Sequence, residues 1–182
     1  MKQIIFIRHG EKTKKDSVNL SPLGYKRAEE LVRYFKKSKN LIFPDKIIAM
    51  KQSHKDSSNR SYETVQPLAN HLNLKISDHY MREEIKEVVE YIKEQGSKHS
   101  VILICWEHSY IPKIIGKLLN LKDELNWGLN PEYEEDSDNF TGVWLLEDYK
   151  LSVYKQSDIC EENNQIMIYE SSDEVLKTIH LK

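Results

Sequence analysis

The tightest constraint on the fold is one run of six residues, Val101-Ile102-Leu103-Ile104-Cys105-Trp106, which contains no charged side chain. A run this short, apolar and rich in β-branched residues reads as a strand buried on both faces, which requires helices above and below the sheet. Residues 3–7 and 46–50 carry similar runs, and residues 75–77 suggest a short one. Helical periodicity fills the gaps. Ser21-Pro22 is a helix start, with Ala28, Leu31, Val32 and Phe35 as the apolar stripe behind it. Ser58 or Asn59 caps a second helix reaching Leu72, with Val65, Leu68, Ala69 and Leu72 facing inward and Pro67 as a potential kink. A charged amphipathic helix over residues 83–94 and another from about residue 109 or 110 to 119 complete the set.

Residues 142–147 and 151–155 read as two strands close enough for a hairpin, so the sheet is expected to be mixed. Together these elements predict an α/β fold: a three-layer α/β/α sandwich around a mixed, mainly parallel sheet. The expectation is a single domain over residues 1–182, with a core over about 2–155 and a C-terminal extension over 156–182. In that extension residues 166–169 suggest a strand, followed by a short helix.

A hydrophobic share of 39% and a charged share of 31% describe a globular chain with a heavily charged surface. No run of about 18 apolar residues suggests a membrane span. The two cysteines, Cys105 and Cys160, lie far apart, so no disulfide framework is expected and Cys105 should be buried and inert. With no export signal in the first residues, the expected compartment is the cytoplasm. The net charge of −2 and the lack of basic residues interleaved with Trp106, Trp127 and Trp144 argue against nucleic-acid binding. Lys12, Lys14 and Lys15 read as a solvated loop face. Oligomeric state has no signal in the sequence.

In an open α/β sheet, ligands bind beyond the carboxyl ends of the strands. The first strand ends in Arg8-His9-Gly10 and the central one in Glu107-His108-Ser109, while Arg60 falls at the start of the helix after the second strand. A neutral imidazole can attack phosphorus, two guanidiniums can grip phosphate oxygens, and a second imidazole can cover a remaining oxygen. The set fits phosphoryl transfer without a metal or cofactor, with charge stabilisation carrying most of the catalysis. No cluster of His, Cys and carboxylates has metal-ligand spacing.

These residues resemble the histidine phosphatase superfamily, the phosphoglycerate-mutase-like proteins, over roughly residues 2–155. Ile5-Phe6-Ile7-Arg8-His9-Gly10-Glu11-Lys12 is similar to the family's N-terminal signature, and Leu20-Ser21-Pro22-Leu23-Gly24 with Arg27-Ala28 to its helix start. Asn59-Arg60-Ser61 with Glu63-Thr64, and Trp106-Glu107-His108 with Ile111-Pro112, are similar to the segments that carry the second arginine and second histidine. The resemblance implies a phosphohistidine intermediate on His9, a phosphate pocket of Arg8, Arg60 and His108, and no metal; it fixes the chemistry better than the substrate, which is expected to be a small phosphorylated metabolite. It also implies a proton donor for the leaving oxygen. Glu83, in Met81-Arg82-Glu83, is the candidate, and Glu107 the rival; Glu11 is either a substrate contact or a solvated loop residue. The alternatives to a phosphomonoester hydrolase are a phosphate-binding scaffold lacking a working acid, and a phosphomutase. The loops over residues 50–59, with His54 and Lys55, and 131–139 are candidates to border the substrate.

Overall fold

The computed structural model describes residues 2–13, 18–52, 58–121, 140–148, 150–156, 158–162, 165–169 and 177–180. Its elements are β1 (Gln3–Arg8), α1 (Pro22–Lys37), β2 (Lys46–Ala49), α2 (Arg60–Leu72), β3 (Ile76–Ser77), α3 (Ile85–Gly96), β4 (Val101–Trp106) and α4 (Ile111–Leu118). Five strands follow: β5 (Gly142–Glu147), β6 (Lys150–Lys155), β7 (Asp158–Glu162), β8 (Gln165–Tyr169) and β9 (Lys177–His180).

The main sheet has the order β3-β2-β4-β1-β5-β6-β9. The first four strands are parallel neighbours, and β5, β6 and β9 each pair antiparallel with the strand before them. The alternation of side chains along β1 and β4 then divides the core into two layers. Ile5, Ile7, Leu103 and Cys105 pack with Leu31 and Phe35 of α1 and Val65 and Leu68 of α2. Ile4, Phe6, Ile102, Ile104 and Trp106 pack on the other face with Val88 and Ile92 of α3 and Ile114 and Ile115 of α4. All six residues of β1 and all six of β4 are buried, which explains why their sequences do not alternate with polar residues. Each fully buried aliphatic side chain contributes roughly 1.5–3 kcal/mol, so these two strands dominate the core.

Local sequence places the helices as expected. The Ser21 hydroxyl accepts from the Gly24 amide at 3.1 Å, with Pro22 opening α1. α2 runs unbroken through Pro67. Among the described residues no helix is long and apolar enough to cross a membrane.

The short helix expected after residue 169 has no set bounds, and residues 170–176 lie outside the described residues. In the C-terminal segment Lys177–His180 forms β9, paired antiparallel with β6 from Lys150↔His180 to Val153↔Lys177. Without it β6 would leave its backbone groups unpaired at the sheet edge, and the β-branched Thr178 and Ile179 suit a strand. β7 was not foreseen, because residues 156–164 are mostly polar. It pairs with β8 as a separate two-stranded ribbon, and the Asn163-Asn164 pair between the two in sequence is a turn signal.

The helix start packs directly on the loop that leaves β1. The Ser21 amide donates to the Glu11 carbonyl at 2.8 Å, and a Cβ on Gly24 would collide with that same carbonyl oxygen. Gly116, inside α4, has nothing within 4 Å of where its Cβ would stand. Gly24→Ala should therefore lower the unfolding free energy by about 1–3 kcal/mol through overpacking. Gly116→Ala should raise it by about 0.5–1 kcal/mol. Denaturant midpoints read both, and equal effects of the same sign would contradict the assignment.

Candidate active site

Parallel pairing of β1 with β4 aligns Arg8 with Trp106, so His9 and Glu107 leave the sheet side by side. On the other flank β5 runs antiparallel, with Ile7 opposite Val143, which brings the residues just before β5 alongside the same exit. α2 begins at Arg60, beyond the end of β2. Four elements thus converge at one edge of the sheet.

His9 is buried, at 2% exposure. Its Nδ1 lies 2.8 Å from the Gly10 carbonyl oxygen, which can only accept, so Nδ1 carries the hydrogen and Nε2 holds the lone pair. Burial is the main cause of a pKa lowered from the ordinary 6.5 to about 3. The positive charges of Arg60 and Arg8 lower it further, while the Gly10 hydrogen bond and the Glu107 charge oppose them. The imidazole is therefore neutral at physiological pH, the form a nucleophile requires.

The loop holding it is anchored twice. The Gly10 amide donates to Thr64 Oγ1 at 2.8 Å, and the same hydroxyl donates to the Arg60 carbonyl at 2.7 Å. One buried threonine thereby ties the end of β1 to the first turn of α2. The second anchor overturns both readings of Glu11. Instead of meeting substrate or solvent, its carboxylate is buried against Arg27 of α1, with Nε to Oε1 and Oε2 at 2.8 and 3.0 Å and Nη2 to Oε1 at 2.5 Å. Glu63 adds a link between helices, accepting from the Leu20 amide at 2.8 Å and the Tyr25 hydroxyl at 2.9 Å.

Arg8 is buried, with Cζ 4.0 Å from the centroid of the Phe140 ring. Arg60 is half-buried. Asn59 occupies the cap position of α2 in a helical backbone conformation and makes no capping hydrogen bond, while its side-chain amide donates to Asn19 Oδ1 at 3.0 Å. Among the described residues the first amides of α2 receive no side-chain cap from Asn59, a suitable setting for an anion beside Arg60. His108 is half-buried, and its Nδ1 stands 2.5 Å from Glu107 Oε1. The other Glu107 oxygen, Oε2, accepts from Ser109 Oγ at 2.5 Å and from the Ser109 amide at 3.2 Å. Burial is the strongest single influence on Glu107 and would raise its pKa. The partners His108 and Ser109 together outweigh it and hold the carboxyl at about 2.

Glu83 lies elsewhere in character. It is exposed, and its Oε1 accepts from Arg82 Nε and Nη2 at 2.9 and 2.8 Å. That pairing, more than any other cause, keeps its pKa below the ordinary carboxylate value. Its backbone segment is held near the end of β4, since Trp106 Nε1 donates to the Arg82 carbonyl at 3.3 Å. The structure thus gathers Arg8, His9, Arg60, Glu107 and His108, and turns Glu83 towards Arg82 and solvent. Cys105 is fully buried, and burial raises its thiol pKa.

Three contributors escaped the sequence reading: Thr64, Arg27 and Phe140. Thr64 and Arg27 stood only as parts of motifs, while Phe140 follows directly on an acidic stretch of sequence and is assigned only by the strand register. His54, Lys55, Lys14, Lys15, Trp127 and residues 131–139 lie outside the described residues.

No protein-family model and no curated protein matches the chain. Among solved structures, the chain is similar to a protein from Agrobacterium tumefaciens assigned as the phosphohistidine phosphatase SixA. The TM-score is 0.52 at 13% identity, covering 81% of this chain and 92% of the other. It is also similar to a phosphoserine phosphatase from Entamoeba histolytica bound to phosphoserine, with a TM-score of 0.52 at 12% identity, covering 94% of this chain and 96% of the other. The likeness is one of fold: the chain shares the α/β/α architecture of these two solved structures.

The His9 environment makes a measurable prediction. In NMR spectra its ring should keep the Nδ1–H tautomer and show no titration between about pH 5 and 8. A midpoint near 6.5 would contradict the burial described. The unfolded chain binds a proton to His9 near pH 6.5 and the folded chain only near 3, so stability declines as pH falls between those values. His9→Asn should flatten that part of the stability–pH curve.

Proposed function

We propose that this chain is a metal-independent phosphomonoester hydrolase acting on a small phosphorylated metabolite through a phosphohistidine intermediate on His9. The observation that carries this reading is the state of His9: buried, neutral, with Nδ1 tied to the Gly10 carbonyl and Nε2 carrying the lone pair, in the field of Arg60 and Arg8. In the proposed reaction Nε2 attacks phosphorus, the P–O bond to the leaving group breaks, and water then displaces phosphate from His9. Arg8, Arg60 and the uncapped start of α2 supply positive charge for the phosphate oxygens, and His108 supplies a further donor. The Thr64 and Arg27–Glu11 anchors support the nucleophile without touching substrate. The phosphatases of the same fold named above support the reaction class.

The proton donor is the weak part of the set, and it favours a second reading. Glu83 and Glu107 are both held ionised by their neighbours, whereas a general acid must carry a proton at working pH. A phosphate-binding scaffold that keeps the pocket but lacks a working acid is consistent with that. A hydrolase with this set would turn over substrates whose leaving groups need little protonation and would be slow on alkyl esters.

Turnover of an aryl phosphate separates the two readings, since its leaving group hardly needs an acid. The hydrolase reading expects turnover that His9→Ala reduces by a factor on the order of 10³ or more, as loss of a nucleophile does. Phosphate binding without turnover would establish the scaffold instead. If Glu83 is the donor, Glu83→Gln slows alkyl phosphates by about 10²-fold and aryl phosphates far less. Equal rates before and after the substitution would remove Glu83 from the mechanism and return the question to Glu107.

A further inference from the structure

We propose that Phe140 is a positioning residue of this site: its ring fixes the Arg8 guanidinium beside His9 and so sets how tightly a phosphate group is held. The inference rests on the reading of Arg8 as a phosphate ligand. Neither the motifs in the sequence nor the residues of the proposed reaction include Phe140.

Three observations carry it. The Arg8 Cζ lies 4.0 Å from the centroid of the Phe140 ring, within cation–π distance. The same ring stands 6.0 Å from the His9 ring, inclined at 46°, so one side chain borders both the cation and the nucleophile. Both Phe140 and Arg8 are buried, at 6% and 5% exposure, which places the contact out of water, where a cation–π interaction is strongest.

The backbone at Phe140 is held by its neighbours. The next residue, Thr141, accepts at its carbonyl from the Gln156 amide at 2.7 Å, which clamps the start of β5 to the end of β6. After it comes Gly142, where a Cβ would stand 2.5 Å from the Trp144 ring, so Trp144 lies folded against the strand start. Phe140 is thus presented from a fixed position, on the side of β1 opposite to Glu107 and His108. A guanidinium on a flexible stem loses conformational freedom when it grips phosphate. A ring that already holds it in place removes part of that loss.

The test compares Phe140→Leu, which keeps an apolar filler and loses the π face, with Phe140→Trp, which keeps the face. Inorganic phosphate affinity is measured by calorimetry on the full chain, and kcat and KM with an aryl phosphate. The Leu variant should bind phosphate about 3- to 30-fold more weakly, with the loss in KM rather than kcat, and the Trp variant should bind within about threefold of the original. In an Arg8→Met background, which removes the cation, the Leu substitution should lose most of its effect, because the contact it deletes is already absent. If Phe140→Leu does not fold, Phe140→Met carries the same comparison. Unchanged phosphate affinity in the Leu variant overturns the proposal, as does equal weakening by Leu and Trp, which would indicate core packing alone. Failure of the unsubstituted chain to bind phosphate would overturn the functional reading itself, and this inference with it.

Discussion

The in-register parallel pairing of β1 with β4 is the interaction on which the rest of the site depends. Because Arg8 lies opposite Trp106, the next residues along each strand emerge together, and His9 meets the field of Glu107. A slip of one residue would turn each strand's inward side chains to the opposite face and separate those two groups. The register is secured by burial on both faces of both strands, so the apolar sequence that makes the sheet also fixes the chemistry at its edge.

Beyond that edge, separate devices hold a neutral histidine among cations. A buried carboxylate–guanidinium pair, Glu11 with Arg27, ties the loop to α1, and Thr64 ties it to α2. A buried ion pair gains little net stability against apolar replacement, but losing one partner costs several kcal/mol, so it acts chiefly as a geometric lock. The positive charge left in the site comes from Arg8 and Arg60, and it favours the unprotonated imidazole as well as an incoming anion. The same local rules work against Glu83 and Glu107 as acids, since each carboxylate is stabilised in its charged form by an adjacent donor.

Much of this was legible in the chain. The unbroken apolar runs identified β1 and β4, helical stripes identified α1 and α2, and the positions of Arg8, His9, Arg60, Glu107 and His108 followed from the rule that sites lie beyond strand ends. What escaped depends on pairing between distant segments. Glu11 in a glycine-flanked loop carries no mark of burial until α1 delivers Arg27 to it. Phe140 has no local signal because its role comes from the antiparallel register of β5 against β1. β7 and β9 were missed for a related reason: their polar residues suit loops, and only hairpin pairing or an open sheet edge makes them strands.

The central claim is that His9 Nε2 becomes covalently phosphorylated, and trapping that adduct tests it most directly. The full chain would be mixed with an aryl phosphate, quenched in alkali during turnover and digested for mass spectrometry. The account predicts one phosphorylated peptide, containing residue 9, with the phosphoryl group on the imidazole, and none from the His9→Ala variant. Turnover with no phosphorylated His9, or a phosphoryl group found on His108 instead, would contradict it.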